Sequence, residues 1–179
     1  MSEQMTAPSL TIRQLTPADE AAVRELLLAV YPSDGEARLV HKLRHCGALV
    51  LEQVAVDESG AIVGHVAYSR VTNAAIGPGQ AIQVVCLSPV SVLPKVQRQG
   101  VGDRLIRSSL KSLSELEEDL VLVLGPPAYF PRFGFDPELA KKIHGPYAGG
   151  AFMALALTEA GTKNLPIEVA FATPFEEFE

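Results

Sequence analysis

The chain has no tryptophan, only two cysteines and a shortage of positive charge, with 15 Lys and Arg against 21 Asp and Glu in 179 residues. Each scarcity excludes something. Cys46 and Cys86 cannot build a disulfide framework, and neither sits in a CxxC pair or at metal-ligand spacing. Both read as reduced core thiols beside apolar neighbours, and no metal site is expected. A phosphate backbone needs a basic partner, so a net charge of −6 argues against nucleic acid. The acidic surface either attracts cations such as amines or simply keeps the protein soluble. No apolar run approaches the roughly 20 residues that span a bilayer, so no membrane contact is expected. Residues 1–10 carry neither the basic nor the apolar region of a signal peptide, which makes the cytoplasm the expected location.

What is present is an ordinary globular composition, 47% hydrophobic and 20% charged. That suffices for a core without disulfides or metals. One domain over residues 1–179 is expected, with 1–9 as a flexible N-terminus.

A first strand reads over residues 11–15. Thr16-Pro17-Ala18-Asp19 then has the form of a helix start, with a capping residue, a proline and an acid. The helix should run to Val30 with Ala22, Val23, Leu26, Leu27 and Val30 inward. Ser33 and Glu36 match a second capping box, followed by a helix to Arg44 with Leu39, Val40 and Leu43 inward. Residues 48–57 and 61–71 read as paired strands about a turn at Glu58-Ser59-Gly60, and 73–79 as a loop. Residues 80–92 form a long apolar run. Pro89 interrupts it, so the strand there is bulged, splayed or at an edge. A helix is expected over 99–116, strands over 120–124, 152–157 and 167–171, and a loop with a short helix over 125–135. Antiparallel strands followed by a single β-α-β crossover make this an α+β arrangement rather than a doubly wound sheet.

The chemistry concentrates in Val92-Leu93-Pro94-Lys95-Val96-Gln97-Arg98-Gln99-Gly100-Val101-Gly102, which joins the apolar strand to the main helix. Gly100 and Gly102 allow a tight turn and close approach of a ligand. The first N–H groups of a helix lack internal partners and sit at the positive end of its dipole, so they attract an anion. A pyrophosphate fits. The third glycine of a dinucleotide fingerprint is missing, because position 105 is Leu105, and no P-loop sequence exists. A glycine-rich helix cap without a ligand is the bland alternative.

This segment resembles the acetyl-CoA signature of the GNAT N-acetyltransferases. Gly64-His65-Val66, residues 87–102, Val121-Leu122-Val123-Leu124-Gly125, Tyr129-Phe130-Pro131-Arg132-Phe133-Gly134-Phe135 and Ala151-Phe152-Met153-Ala154-Leu155 are similar to the YhbS-like subgroup. The resemblance covers residues 11–171. It implies a mixed, mostly antiparallel sheet of about six or seven strands, with a splayed central pair and helices on both faces. It implies acetyl-CoA as acyl donor and no metal. The pantetheine arm would lie along Val90, Ser91 and Val92. The pyrophosphate would meet the backbone of Arg98, Gln99, Gly100, Val101, Gly102 and Asp103, with Gln97 and Phe130 as further contacts. The thioester would sit between that strand and residues 120–124. A homodimer is compatible with the family.

The implied reaction is direct attack of a primary amine on the thioester. In the family a tyrosine four residues before the glycine of a Gly-Phe pair often protonates the departing thiolate. Here that position is Phe130, which has no hydroxyl. Tyr129 is the neighbouring candidate acid, although on a helix it would point about 100° away. His65 is the candidate base, and Tyr31, Glu36 and His41 lie on the wall expected to face the acceptor. His144 falls in a polar loop, and Arg132 reads as a structural residue or cofactor contact. The acceptor itself is not written in the sequence. The missing hydroxyl keeps a second reading open, a non-catalytic acyl-CoA-binding sensor.

Overall fold

The computed structural model describes residues 9–147 and 149–177; the expectation for residues 1–8 lies outside them. β1 (Thr11–Gln14) leads through a 3-10 turn (Pro17–Asp19) into α1 (Glu20–Val30), α2 (Gly35–His45), β2 (Leu49–Val56) and β3 (Ile62–Ala75). Then come β4 (Val84–Val92), a turn at Pro94–Val96, α3 (Val101–Glu115) and β5 (Leu120–Leu124). After a turn at Phe130–Phe133 follow α4 (Pro137–Ala140), β6 (Ile143–His144), β7 (Phe152–Ala156), α5 (Ala160–Lys163), β8 (Ile167–Ala170) and a last turn, Thr173–Glu177. The main sheet runs β1-β2-β3-β4-β5-β7. All its pairs are antiparallel except β4–β5, which the α3 crossover makes parallel. The α+β reading holds, with eight strands rather than six or seven.

Local chemistry explains most of these elements. At the start of α1 the Thr16 N–H donates to Asp19 Oδ2 at 2.7 Å, and Arg13 grips the same carboxylate at 2.7 and 2.9 Å. Val23, Leu26 and Leu27 form the buried stripe, whereas Ala22 is exposed, so the inward face is narrower than expected. The capping box at Ser33 and Glu36 does not form. The helix begins two residues after Ser33, with Asp34 as its cap, which puts Glu36 in the first turn but out of register for the box. Cys46 ends α2 and is exposed, contrary to its reading as a core thiol; Cys86 is buried as expected.

The largest departure is at β3. Residues 73–79 read as a loop and the strand before them as ending at Val71, yet Thr72–Ala75 pair with β8 in a second small sheet. The Asn73 carboxamide donates to Ile82 O at 2.6 Å and accepts from Ile82 N at 2.9 Å, closing the loop. The N–H groups of Gln80, Ile82 and Gln83 go to the side chains of Asn164, Asn73 and Asp119, and β4 begins only at Val84.

Helices cover both faces. On one, Leu105, Ile106 and Leu113 of α3 pack against Val66, Tyr68, Val85 and Val121. On the other, α1 and α2 pack over Val54, and α2 with the C-terminal segment covers Cys86, Leu122 and Phe152. Burial removes apolar surface from water, and each such side chain contributes a few kcal/mol. Leu105→Ala in this fully buried position should cost about 3 kcal/mol of unfolding free energy in urea titration. Leu116→Ala, at a side chain 54% exposed, should stay within about 0.5 kcal/mol. Equal losses would contradict the assigned packing of α3.

Candidate active site

The central strands part company midway. β4 and β5 pair from Val84↔Leu120 to Leu87↔Val123, and no further. Beyond Leu87 the register with β3 slips by one residue between Val66↔Val90 and Tyr68↔Leu87, a bulge on β4 that contains Ser88 and Pro89. Proline has no N–H to offer a neighbour, so the strand cannot stay laddered on both sides. Past the bulge, Leu93 N donates to Val63 O at 2.9 Å. Donors alternate in direction along a strand, so the N–H groups of Val90 and Val92 point away from β3, into the gap beside β5.

The segment after β4 forms a second donor array. Arg98 has φ +65° and Gly100 φ +84°, left-handed conformations that wind residues 97–100 into the start of α3. None of the backbone N–H groups of residues 98–103 bonds to a described carbonyl. They stand at the N-terminus of a 15-residue helix, where an anion is favoured. A Cβ on Gly102 would lie 3.1 Å from the Tyr129 hydroxyl and 3.7 Å from Val92 Cγ2, filling space beside the donors. The resulting cavity, about 420 Å³, is walled by Val92, Gln97, Arg98, the two glycines, Val101, Asp103, Tyr129 and Arg132. Free N–H groups, a helix N-terminus and two nearby guanidinium groups suit a pyrophosphate.

Tyr129 lines this anion cavity with Val92. Its hydroxyl donates to Asp103 Oδ1 at 2.9 Å on the first turn of α3. Burial, reinforced by that carboxylate, pushes its pKa up. Arg132 stacks over its ring at 4.6 Å and lies 3.6 Å from the other Asp103 oxygen. The Asp103 carboxylate is thus neutralised next to the anion site, which leaves its N–H usable. Phe130 is 4% exposed, edge-on to Phe135, and is no wall of this cavity.

Residues 11–137 match the acetyltransferase (GNAT) domain family. An N-acetyltransferase of Escherichia coli K12, YhbS, is 39% identical over 127 residues, spanning 71% of this chain and 74% of that protein. The chain belongs to the GNAT acetyltransferase family. A second E. coli relative, the N-acetyltransferase YjhQ, is 31% identical over 134 residues, 74% of this chain and 73% of its own. The structure of E. coli YhbS in complex with CoA superposes with a TM-score of 0.87 at 32% identity, covering 99% of this chain and 97% of that one. A GNAT acetyltransferase of Brucella melitensis in complex with acetyl-CoA gives 0.75 at 31% identity, covering 93% and 98%. The reading as a GNAT acyltransferase therefore holds.

Other candidates of this GNAT chain fall into place by burial. His65 is fully buried, with Nε2 2.9 Å from Glu52 Oε1. Glu52 also accepts from Arg44 at 2.9 and 3.1 Å. No substrate nitrogen reaches a histidine sealed in this way, so His65 is not a base in contact with the amine. Ser91, opposite His65 in the ladder, is buried with its hydroxyl 3.0 Å from that of Tyr31. The Tyr31 hydroxyl also donates to Val90 O at 3.3 Å, which puts it at the lip of the gap. Burial raises the Tyr31 pKa and keeps the hydroxyl neutral. His41 is exposed, stacked on His45 on the outer side of α2, and His144 is exposed on β6. Gln97 spends its amide on Val92 O at 2.9 Å, bracing the strand end. Gln99 is exposed and only its backbone belongs to the loop. Burial pushes the Cys86 thiol up to about 12, so it is no nucleophile.

Glu52 went unnoticed in the sequence. The signal was a lone acid in the apolar strand Leu49–Val56, which must find a cation or a proton. Burial alone would raise its pKa, but the His65 and Arg44 bonds outweigh burial and hold it below 4.5. A depressed folded pKa stabilises above the unfolded value and is lost as pH falls through the folded one. Glu52→Gln should therefore cost about 3 kcal/mol at pH 7. It should also flatten the loss of stability below pH 4.5 relative to the parent protein, read by urea titration across pH. An unchanged acid limb would contradict the assigned network.

Proposed function

We propose that this protein transfers an acetyl group from acetyl-CoA to a primary amine in one step. The observation that carries this reading is the pairing of two free donor arrays on one path: Val90 and Val92 at the β4 edge, and residues 98–103 at the start of α3. A pantetheine amide chain suits the first and a pyrophosphate the second, at a spacing set by the turn Pro94–Val96. The complexes of YhbS with CoA and of the Brucella relative with acetyl-CoA support the assignment. Val90, Ser91, Val92 and residues 97–103 are the cofactor contacts under this reading, with Arg98 and Arg132 as counter-charges.

In the transfer the amine lone pair forms a C–N bond to the acetyl carbon, the C–S bond breaks, and the nitrogen loses one proton as the thiolate gains one. A β4 N–H aimed into the gap stabilises the negative charge that builds on the carbonyl oxygen. Tyr129 holds the loop through Asp103 and is not the acid. The hydroxyl at the lip of the gap belongs to Tyr31, which we assign the proton returned to sulfur. A water completes the transfer from the ammonium form of the acceptor.

Calorimetry and thiol release test the reading together. Acetyl-CoA should bind where ATP and NAD do not, and a panel of primary amines should release CoA thiol. Gly102→Val should weaken acetyl-CoA binding about tenfold or more, by filling the cradle with side-chain atoms. Tyr31→Phe should lower kcat about 100-fold with acetyl-CoA affinity unchanged, whereas Tyr129→Phe should not lower kcat comparably. Binding without thiol release from any amine would favour the acyl-CoA sensor, which the lack of a hydroxyl at Phe130 first suggested.

A further inference from the structure

A second cavity opens from the same gap on the face away from α3. It measures about 290 Å³ and is walled by Cys86 and Ser88 of β4, Leu124 of β5, and the aromatic rings of Tyr147, Phe171 and Phe175. Its β4 and β5 walls straddle Leu87↔Val123, the point where pairing stops. The rings form an edge-to-face ladder, Tyr147 to Phe171 at 4.9 Å and Phe171 to Phe175 at 6.0 Å. Among the described residues no charged side chain lines the cavity. At its mouth Leu124 stays 53% exposed, an apolar surface left to water.

We infer that the acceptor is a primary amine carried on an aromatic or branched apolar body, and that this cavity holds that body. The inference rests on the acetyl transfer proposed above and names its substrate class. Size is suitable: a cavity of about 150 Å³ holds one benzene, so this one takes a ring and a short alkyl arm. Position favours the acceptor over the donor. The anion loop and α3 occupy the opposite face of the sheet, and the amine must reach the carbonyl from the side that CoA leaves open.

Charge gives an independent pointer. The turn Thr173–Glu177 puts Phe175 into the apolar cavity and Pro174 into a neighbouring polar one of about 430 Å³. In the polar cavity Asp34 pairs with Arg38 and Glu177 with Lys42. Glu36 remains, with Oε2 buried and without a partner among the described residues. Glu36 lies in the first turn of α2, and Tyr31, whose hydroxyl is at the lip of the gap, caps the end of α1 just before it. An ammonium group satisfies Glu36, and an apolar body satisfies the rings beyond it. A second charge on the acceptor would have to be buried against the apolar and aromatic side chains described there, at a large cost.

The test compares thiol release from acetyl-CoA with phenethylamine, isoamylamine, ethylamine, ethanolamine and spermidine, alongside calorimetry of acetyl-CoA on the same protein. Phenethylamine should exceed ethylamine and spermidine in kcat/KM by about tenfold or more, since apolar contacts discriminate on that scale. Phe171→Ala should shrink that ratio mainly through KM, leaving acetyl-CoA affinity as it was. Leu124→Glu, a change at an exposed side chain, should shrink it as well and covers the case in which the first variant fails to fold. Preference for spermidine or ethanolamine overturns the inference and leaves the acetyl transfer standing. So does a gain with hexanoyl-CoA and ethylamine that Phe171→Ala abolishes, because the cavity would then serve the acyl chain. Failure of every amine, with acetyl-CoA bound, overturns the transfer reading and this inference together.

Discussion

The structure turns on a ladder left unfinished. A buried or cleft-facing N–H must find an acceptor somewhere, and here two of them, at Val90 and Val92, are denied one by their own sheet. Pro89 and the bulge at residues 88–89 stop β4 from pairing with β5 beyond Leu87. The same parting opens a gap through the sheet with a cavity on each side, one at the start of α3 and one among the aromatic rings. Anchoring on both flanks keeps the gap from collapsing. β3 holds β4 through the bonds to residues 63–66, and β7 holds β5 along its whole length.

The two faces of the sheet divide the chemistry. The α3 face carries the loop, where Arg98 and Gly100 adopt left-handed backbone and Tyr129, Asp103 and Arg132 lock the first helical turn. The opposite face carries two separate sets of buried and half-buried polar groups, Arg44–Glu52–His65 and Ser91–Tyr31, the second of which ends at the gap. Burying a charge is tolerable only when it is paired, and the Arg44–Glu52–His65 group meets that condition within the sheet and α2. It holds β2 and β3 in register below the site and does not itself reach a substrate.

Much of this was legible in the sequence, because local rules sufficed where the chain is locally determined. The helix α3 followed from its apolar stripe, and the loop from Gln97, Gly100 and Gly102 ahead of it. The splay followed from a proline inside an apolar run. What escaped depends on partners distant in sequence. The extension of β3 to Ala75 exists only because β8 lies beside it. β6 is two residues long and is defined by β8 alone. Tyr129 stood as the candidate acid because the direction of its hydroxyl depends on Asp103, 26 positions away. His65 looked available because its burial comes from α1 and α2 packing over the sheet, which no pattern in its own strand discloses.

Hydrogen exchange at individual amides tests the central claim most directly. In the free protein the N–H groups of Val90 and Val92 should exchange far faster than that of Leu93, which bonds to Val63 O. Saturating acetyl-CoA should slow both, along with the amides of residues 98–103, because a hydrogen-bonded amide exchanges only when its bond opens. Protection of Val90 and Val92 in the free protein, or no change on adding acetyl-CoA, would contradict the account.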